Sequence, residues 1–201
     1  DLLYSAEYID LLSSHHSPFR DGKDFQTLCD DYIHNRYQDY YGSNRRTGAC
    51  KRIHEGIDFF VPKNTPVYPI GKIGIVTKVS HNPNFLVKAG CLRTQDPADS
   101  VLVEYGKIVK VLYPEGYSSL YAHLDKVDVE ENQIVYSDTK LGETGVTGNL
   151  LRSGKASHLH MELRDKNGNS FDPKHRLYYN NSNFRKFINL LNFDDKHGDK
   201  G

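Results

Sequence analysis

Tryptophan is absent from this 201-residue chain, methionine occurs once, and no charge of either sign is in excess: 26 lysines and arginines face 26 aspartates and glutamates. The balanced charge gives no basic field of the kind that draws nucleic acid. No run of 18 apolar residues exists, so no segment reads as a membrane span. Cysteine is scarce at three, and none stands in a Cys-x-x-Cys pair, which excludes a structural zinc knuckle. Cys29 falls on an apolar stripe and reads as a buried thiol. Cys50 and Cys91 are left to pair or stay free; a disulfide would suit an exported protein. The sequence opens at Asp1 with neither methionine nor an apolar leader, which leaves open whether a signal segment has been removed. The length suffices for one domain with a real core and no staple.

Histidine and tyrosine, by contrast, are plentiful, at ten and 14. Three short segments concentrate the chemistry: His54-Glu55-Gly56-Ile57-Asp58, Tyr121-Ala122-His123-Leu124 and His158-Leu159-His160. Four imidazoles and a carboxylate can supply three ligands to a zinc ion, leave a position open for water, and keep two histidines for proton transfer. Gly56, β-branched Ile57 and the run Phe59-Phe60-Val61-Pro62 argue against a helix and for a bend entering a strand, with Gly56 letting both side chains reach one point. Ser157 to Leu163 alternates as a strand does. His158 and His160 then share one face, and Leu159, Met161 and Leu163 fill the other, core side. One imidazole of such a pair can bind metal while the other faces a bound water. The remaining histidines (His15, His16, His34, His81, His175, His197) lie in polar or turn-like text and read as surface residues. Tyrosines lining a groove would suit an extended peptide-sugar substrate, but ordinary core and surface tyrosines account for them equally well.

Helical spacing appears only at the flanks. Leu2, Leu3, Ala6, Ile9 and Leu12 suggest a short helix. Asp24 can cap a second one over 25–40, with Phe25, Leu28, Cys29, Tyr32, Ile33, Tyr37 and Tyr40 on its apolar face. This helix is expected to pack on the β domain and shape one wall of a groove. Between Ile53 and Phe171 the text is strands and turns, as in Ile73–Val79, Ser100–Tyr105 and Ile108–Tyr113. Ser182 or Asn183 can cap a closing helix with Phe184, Phe187, Ile188 and Leu191 on one side, and the polar residues after Asp194 read as loose.

The three segments together resemble the lysostaphin-type, or LytM-like, zinc endopeptidases of the bacterial cell wall. Their first motif, H-x-G-x-D followed by an apolar strand and an Asn-Thr-Pro-Val turn, is matched by His54 to Val67. The middle motif is matched by Gly116-Tyr117-Ser118-Ser119-Leu120-Tyr121-Ala122-His123-Leu124. The last is matched by His158-Leu159-His160-Met161-Glu162-Leu163-Arg164, with Gly145-Val146-Thr147-Gly148 before it and Asp172-Pro173 after it. The resemblance covers roughly residues 41 to 178. It implies His54, Asp58 and His160 as zinc ligands, one zinc per chain, and His123 and His158 as catalytic histidines, without saying which is acid and which base. It also implies a mainly β fold: an antiparallel sheet with a substrate groove, here flanked by a helical N-terminal extension (1–45) and a C-terminal helix and tail (181–201) around a peptidase domain (46–180).

Two stretches depart from the family. Ser17-Pro18-Phe19-Arg20 begins the usual lead-in, but a long insertion separates it from Tyr40-Tyr41-Gly42-Ser43-Asn44-Arg45. A second insertion, about Asn82 to Ser100, interrupts the expected strand pair between Val76 and Val101. Both can flank the groove. The implied function is hydrolysis of peptide cross-links in peptidoglycan, with stem peptides and cross-bridges as partners, in a periplasmic or extracellular setting. A regulatory protein partner and the identity of the scissile bond stay open. The alternatives are a non-catalytic module that binds or activates other cell-wall hydrolases, and a zinc peptidase acting on proteins.

Overall fold

The computed structural model describes residues 16–47, 50–91 and 100–174. The two terminal helices expected from Leu2 to Leu12 and from Phe184 to Leu191 lie outside these residues. Within them the chain is mainly antiparallel β structure, in agreement with the alternation read from the sequence.

Helix α1 (Phe25–Tyr32) opens the described chain, with the Asp24 carboxylate accepting from the Thr27 amide. It ends eight residues before Tyr40, where the apolar spacing alone would have carried it. The reason is local competition for backbone groups. Asp39 accepts from the Asn35 amide at 2.7 Å, and the Gln38 and Asp39 amides turn back on the Asn35 carbonyl. Phe25, Leu28, Cys29 and Ile33 still join the main core, and Tyr32 and Tyr40 pack against it, but Tyr37, expected on the same stripe, is 91% exposed because the helix has ended before it. The end of the helix and the unwound stretch then brace β3: the Tyr32 carbonyl accepts from the amide of Phe60, just past the strand, and the Asp39 carbonyl from that of Asp58.

The strands follow in order: β1 (Asn44–Thr47), β2 (Cys50–Ile53), β3 (Ile57–Phe59), β4 (Pro66–Val67), β5 (Ile73–Ser80), β6 (Leu86–Gly90), β7 (Ser100–Glu104), β8 (Lys107–Leu112), β9 (Ser118–Val127), β10 (Ile134–Tyr136), β11 (Gly142–Thr144), β12 (Leu159–Arg164) and β13 (Ser170–Phe171), with a one-turn helix α2 (Leu150–Ser153) before β12. The main sheet runs β10–β5–β8–β9. At ten residues β9 is long enough to divide its second edge: Ser118 to Ala122 pair with β12, and Leu124 to Val127 pair with β11, which carries β4. β12 takes β3 and β13 on its far side.

Strand β12 divides two cores. Leu159, Met161 and Leu163 are fully buried in the larger one, with Phe59, Tyr121 and Leu124. Each such side chain contributes roughly 1.5–3 kcal/mol by burial, which pins the register and with it the opposite face. The smaller core lies over that opposite side of β9: Leu120 and Ala122 pack under Ala89, Val103, Tyr105 and Ile108. Here the insertion reading needs correction. β5 pairs with β8 (Val76↔Val111), not with the strand of Val101, and the described residues of this stretch instead form their own antiparallel pair, β6–β7, with Val101 opposite Ala89. The hairpin covers apolar surface on β9, so it is part of the fold rather than an interruption of it.

A disulfide joins Cys50, at the start of β2, to Cys91, just after β6, closing the alternative the sequence left open; Cys29 is the free cysteine and is buried. Burial pushes the Cys29 thiol up to about 11, with the Tyr40 hydroxyl pulling weakly the other way. A thiol reagent at neutral pH is therefore expected to label no cysteine in the folded protein, one after unfolding, and three after unfolding with reductant. Labelling of two or more sites in the native state would contradict this arrangement.

Candidate metal centre

Asp58 lies on β3 and His160 on β12, directly opposite each other in the strand pairing, and Ala122 of β9 is the partner of His160 on its other side. His54 comes from the turn between β2 and β3. That turn must pass tight against β12: a Cβ on Gly56 would stand 2.5 Å from the Met161 carbonyl oxygen and 2.9 Å from His160 Cε1. Glycine serves here for close approach, not for the bend that the sequence suggests.

The result is a buried cluster. His54, Asp58 and His160 are 3–4% exposed. Asp58 Oδ1 is 3.1 Å from His54 Nε2 and 2.8 Å from His160 Nδ1, and the two nitrogens are 3.1 Å apart. Donors at about 2.0–2.2 Å from a tetrahedral ion stand roughly 3.3 Å from one another, so this triangle fits a zinc-sized cation with little adjustment. These three are the only His, Cys, Asp or Glu group among the described residues that converges in this way.

Each ring is held by the nitrogen facing away from the triangle. His54 Nδ1 donates to the Tyr40 carbonyl at 3.0 Å. His160 Nε2 donates to Glu162 Oε1 at 3.0 Å. Such outer bonds fix tautomer and orientation. Glu162 is fully buried and also accepts from the Tyr105 hydroxyl and from Arg164, whose guanidinium reaches on to Glu55 at 3.1 Å. Arg45 donates to the other oxygen of Asp58 at 2.7 Å, leaving Oδ1 turned to the histidines.

Electrostatics favour a cation at this point. Burial pushes the His160 imidazolium down, but the hydrogen bonds and charges of Asp58 and Glu162 outweigh it and raise the group to about 9. Burial pushes Asp58 up, and the flanking imidazoles, His54 foremost, hold it well below the usual carboxylate range. His54 is lowered by burial, which favours the neutral, ligating form.

His123 and His158 stand beside the triangle. His158 precedes β12 by one residue and shares the His160 face, as the alternation predicts. Its Nδ1 donates to the Ala156 carbonyl at 3.1 Å, and its Nε2 is 3.7 Å from Asp58 Oδ1. His123 gets there by a backbone irregularity. Between the pairs Val109↔Tyr121 and Lys107↔Leu124, β8 spends one residue and β9 two. This bulge, with His123 at φ +62°, turns its ring back to the Ala122 side. Its centroid lies 5.1 Å from His158 and 5.9 Å from His160, and its Nδ1 donates to the Thr147 carbonyl at 2.9 Å. A left-handed, non-glycine residue costs of order 1–3 kcal/mol and clusters at functional sites. Gly148, at φ +72°, lets the Thr147 loop close on β7: a Cβ there would be 2.7 Å from the Glu104 carbonyl. Burial lowers both His123 and His158, so both are neutral at pH 7.

All five residues singled out in the sequence therefore meet in one place. They line a cavity of about 150 Å³ together with Val103, Tyr105, Asn149 and four cationic residues of the β1–β2 hairpin and the loop before β12. Helix α1 contributes no residue to this lining. The sequence reading gave no role to Arg45, Tyr105, Glu162 or Arg164, although Glu162 and Arg164 stand in the last motif. Glu162 had a signal: it sits two residues beyond His160, on the same strand face. Tyr105 and Arg45 come from distant segments and had none. His34 and His81 are exposed, as expected; His16 is half-buried, its amide donating to the Ile70 carbonyl, against the surface reading; His15, His175 and His197 lie outside the described residues.

Residues 52–173 match the model of Peptidase family M23. A peptidoglycan DD-endopeptidase of Vibrio cholerae serotype O1, ShyB, is 30% identical over 116 residues, 57% of this chain and 21% of its own. A second, ShyA, is 29% identical over 130 residues, 64% of this chain and 24% of its own. The chain thus spans less than a quarter of the length of these curated relatives. Among solved structures, the catalytic domain of lysostaphin from Staphylococcus simulans superposes with a TM-score of 0.53 at 22% identity, covering 77% of this chain and 98% of that one. A chain of the SpoIIQ–SpoIIIAH pore-forming complex gives 0.56 at 18% identity, covering 87% and 98%. These two likenesses establish the shared fold.

If Glu162 sets the orientation of His160, Glu162→Gln should weaken zinc affinity about 10- to 100-fold while the folded β signal persists. Titration against a competing chelator measures it. Unchanged affinity would mean that His160 is positioned by strand packing alone.

Proposed function

Since the chain belongs to peptidase family M23, we propose that it is a zinc-dependent endopeptidase that hydrolyses peptide cross-links of bacterial peptidoglycan. The observation that carries this reading is the complete, buried donor triangle of His54, Asp58 and His160 with two further neutral imidazoles at its open side. A non-catalytic binding module would not need both.

In this reading His54 Nε2, Asp58 Oδ1 and His160 Nδ1 hold one zinc ion. The ion would polarise the scissile carbonyl and bring the pKa of a bound water to roughly 7. The chain's own groups do the rest. Asp58 stays anionic under the guanidinium of Arg45. His123 and His158 each have Nδ1 committed to a carbonyl, so each offers Nε2 as a proton acceptor. One can take the proton of the attacking water; the other, once protonated, can donate to the leaving amine or steady the developing oxyanion.

The relatives ShyA and ShyB are named as peptidoglycan DD-endopeptidases, which supports peptidoglycan as the substrate here. The Cys50–Cys91 disulfide supports an oxidising, exported location, and no helix of the described residues is long and apolar enough to cross a membrane.

The test separates ligand from catalyst. The purified protein should bind one zinc per chain. His160→Ala should lose zinc and cleavage together. His123→Ala and His158→Ala should keep zinc and lower turnover roughly 100- to 10,000-fold. Purified peptidoglycan and an unfolded protein substrate are digested side by side, with products read by mass spectrometry. Zinc binding without any cleavage would favour the binding-module reading, and cleavage of the protein alone would redirect the substrate.

A further inference from the structure

The cavity beside the metal centre carries charge that the catalytic groups do not account for. Arg45, Arg46, Arg52 and Lys155 all contribute to its lining, and Asp58 is the one carboxylate residue among the lining residues. The chain as a whole is neutral, so this is a local excess. One of the four is answered: Arg45 is bound to Asp58. Arg46 is the cross-strand partner of Lys51, a like charge, at a register position that alternates with that of Arg45.

Arg52 is different. It is the cross-strand partner of Arg45 and shares its face. Its Nε donates to Thr47 Oγ1 at 3.2 Å and its Nη1 to the Ile53 carbonyl at 3.3 Å. Both partners are neutral, so the guanidinium is oriented but not neutralised. The hairpin that carries it is tied at Cys50 to Cys91 of the segment after β6, which restrains the strand on which Arg52 is presented. Lys155 approaches from the loop between α2 and His158, is exposed, and lies near enough for its charge to act on the His158 ring. Among the described residues neither Arg52 nor Lys155 has an ion-pair partner. A restrained guanidinium with free N–H groups, lining the same cavity as an exposed ammonium, offers donors that a carboxylate can accept from.

We propose that Arg52 and Lys155 form a carboxylate subsite beside the metal centre, so that the preferred peptide carries a free carboxylate close to the bond to be cut. The cleavage half of this statement rests on the peptidase reading above; the binding half does not.

The test offers the zinc-loaded protein two forms of a peptidoglycan stem peptide, one with free carboxylates and one with the same groups converted to carboxamides. Cross-linked forms report turnover. Fluorescently labelled, uncross-linked tetrapeptides, which lack the bond to be cut, report binding. The free acid should be favoured about fivefold to tenfold at low salt, the scale of two partly exposed ion pairs, in binding and in kcat/KM. In the Arg52→Gln, Lys155→Gln double variant this ratio should fall toward one, through KM more than kcat. Lys155→Gln alone should remove part of it, and because Lys155 is exposed this variant keeps the test readable if the hairpin is disturbed by the change at Arg52. Equal binding of acid and amide by the unsubstituted protein, or an unchanged ratio in the double variant, overturns the subsite whatever the turnover. Tighter binding of the acid with no cleavage of either form supports the subsite and removes the peptidase reading instead.

Discussion

His160 is held between two carboxylates, Asp58 on one ring nitrogen and Glu162 on the other, and neither carboxylate is near bulk water. The surrounding structure follows from keeping that arrangement intact in a dry interior. Two buried anions are tolerable only if cations and donors answer them. Arg45 answers Asp58, Arg164 and the Tyr105 hydroxyl answer Glu162, and Glu55 answers the far side of Arg164. What the network leaves open is the Asp58 oxygen turned to the two imidazoles, and a divalent cation would bind where these three donors converge. The centre is thus the middle of a charge network that runs from the β1–β2 hairpin through β3 and β12.

The backbone that supports the network is specified by apolar packing on the other side of β12. Leu159, Met161 and Leu163 fix the register against Phe59 and Tyr121, and a slip of one residue would turn every histidine of the strand into the core. Where regular pairing could not deliver a side chain, the chain departs from it. The bulge in β9 brings His123 to the site face, and in the stretch after α1 the Asp39 carbonyl accepts from the Asp58 amide. Both irregularities end at a residue of the centre.

This contrast also decides what could be read from the sequence. The alternation in β12 was legible because a period of two is a direct imprint of burial, and it placed His158 and His160 on one face with the core on the other. The motif resemblance then brought His54, Asp58 and His123 to the same place. The helix stripe from Phe25 was legible in kind but not in length, because the Asn35–Asp39 turn that ends it depends on side chain-to-backbone bonds that hydrophobic spacing does not record. The pairing of β5 with β8 was hidden for a different reason: the β6–β7 hairpin lies between them in sequence, and its apolar residues serve a second core that no local pattern announces. Tyr105 and Arg45 reach the centre across 57 and 13 residues of sequence, to Glu162 and Asp58 respectively, and such contacts exist only once the fold does.

His54, Asp58 and His160 should supply the protein part of the first shell around a bound zinc ion. X-ray absorption at the zinc edge of the metal-loaded protein measures this directly. Two imidazole nitrogens at about 2.0–2.1 Å with oxygen ligands at about 2.0–2.2 Å, and no sulfur, is the predicted first coordination shell, and it should lose one imidazole or the metal itself when His160 is replaced. A shell with sulfur ligands, or with two imidazoles that persist in His160→Ala, would place the ion elsewhere and contradict the central claim.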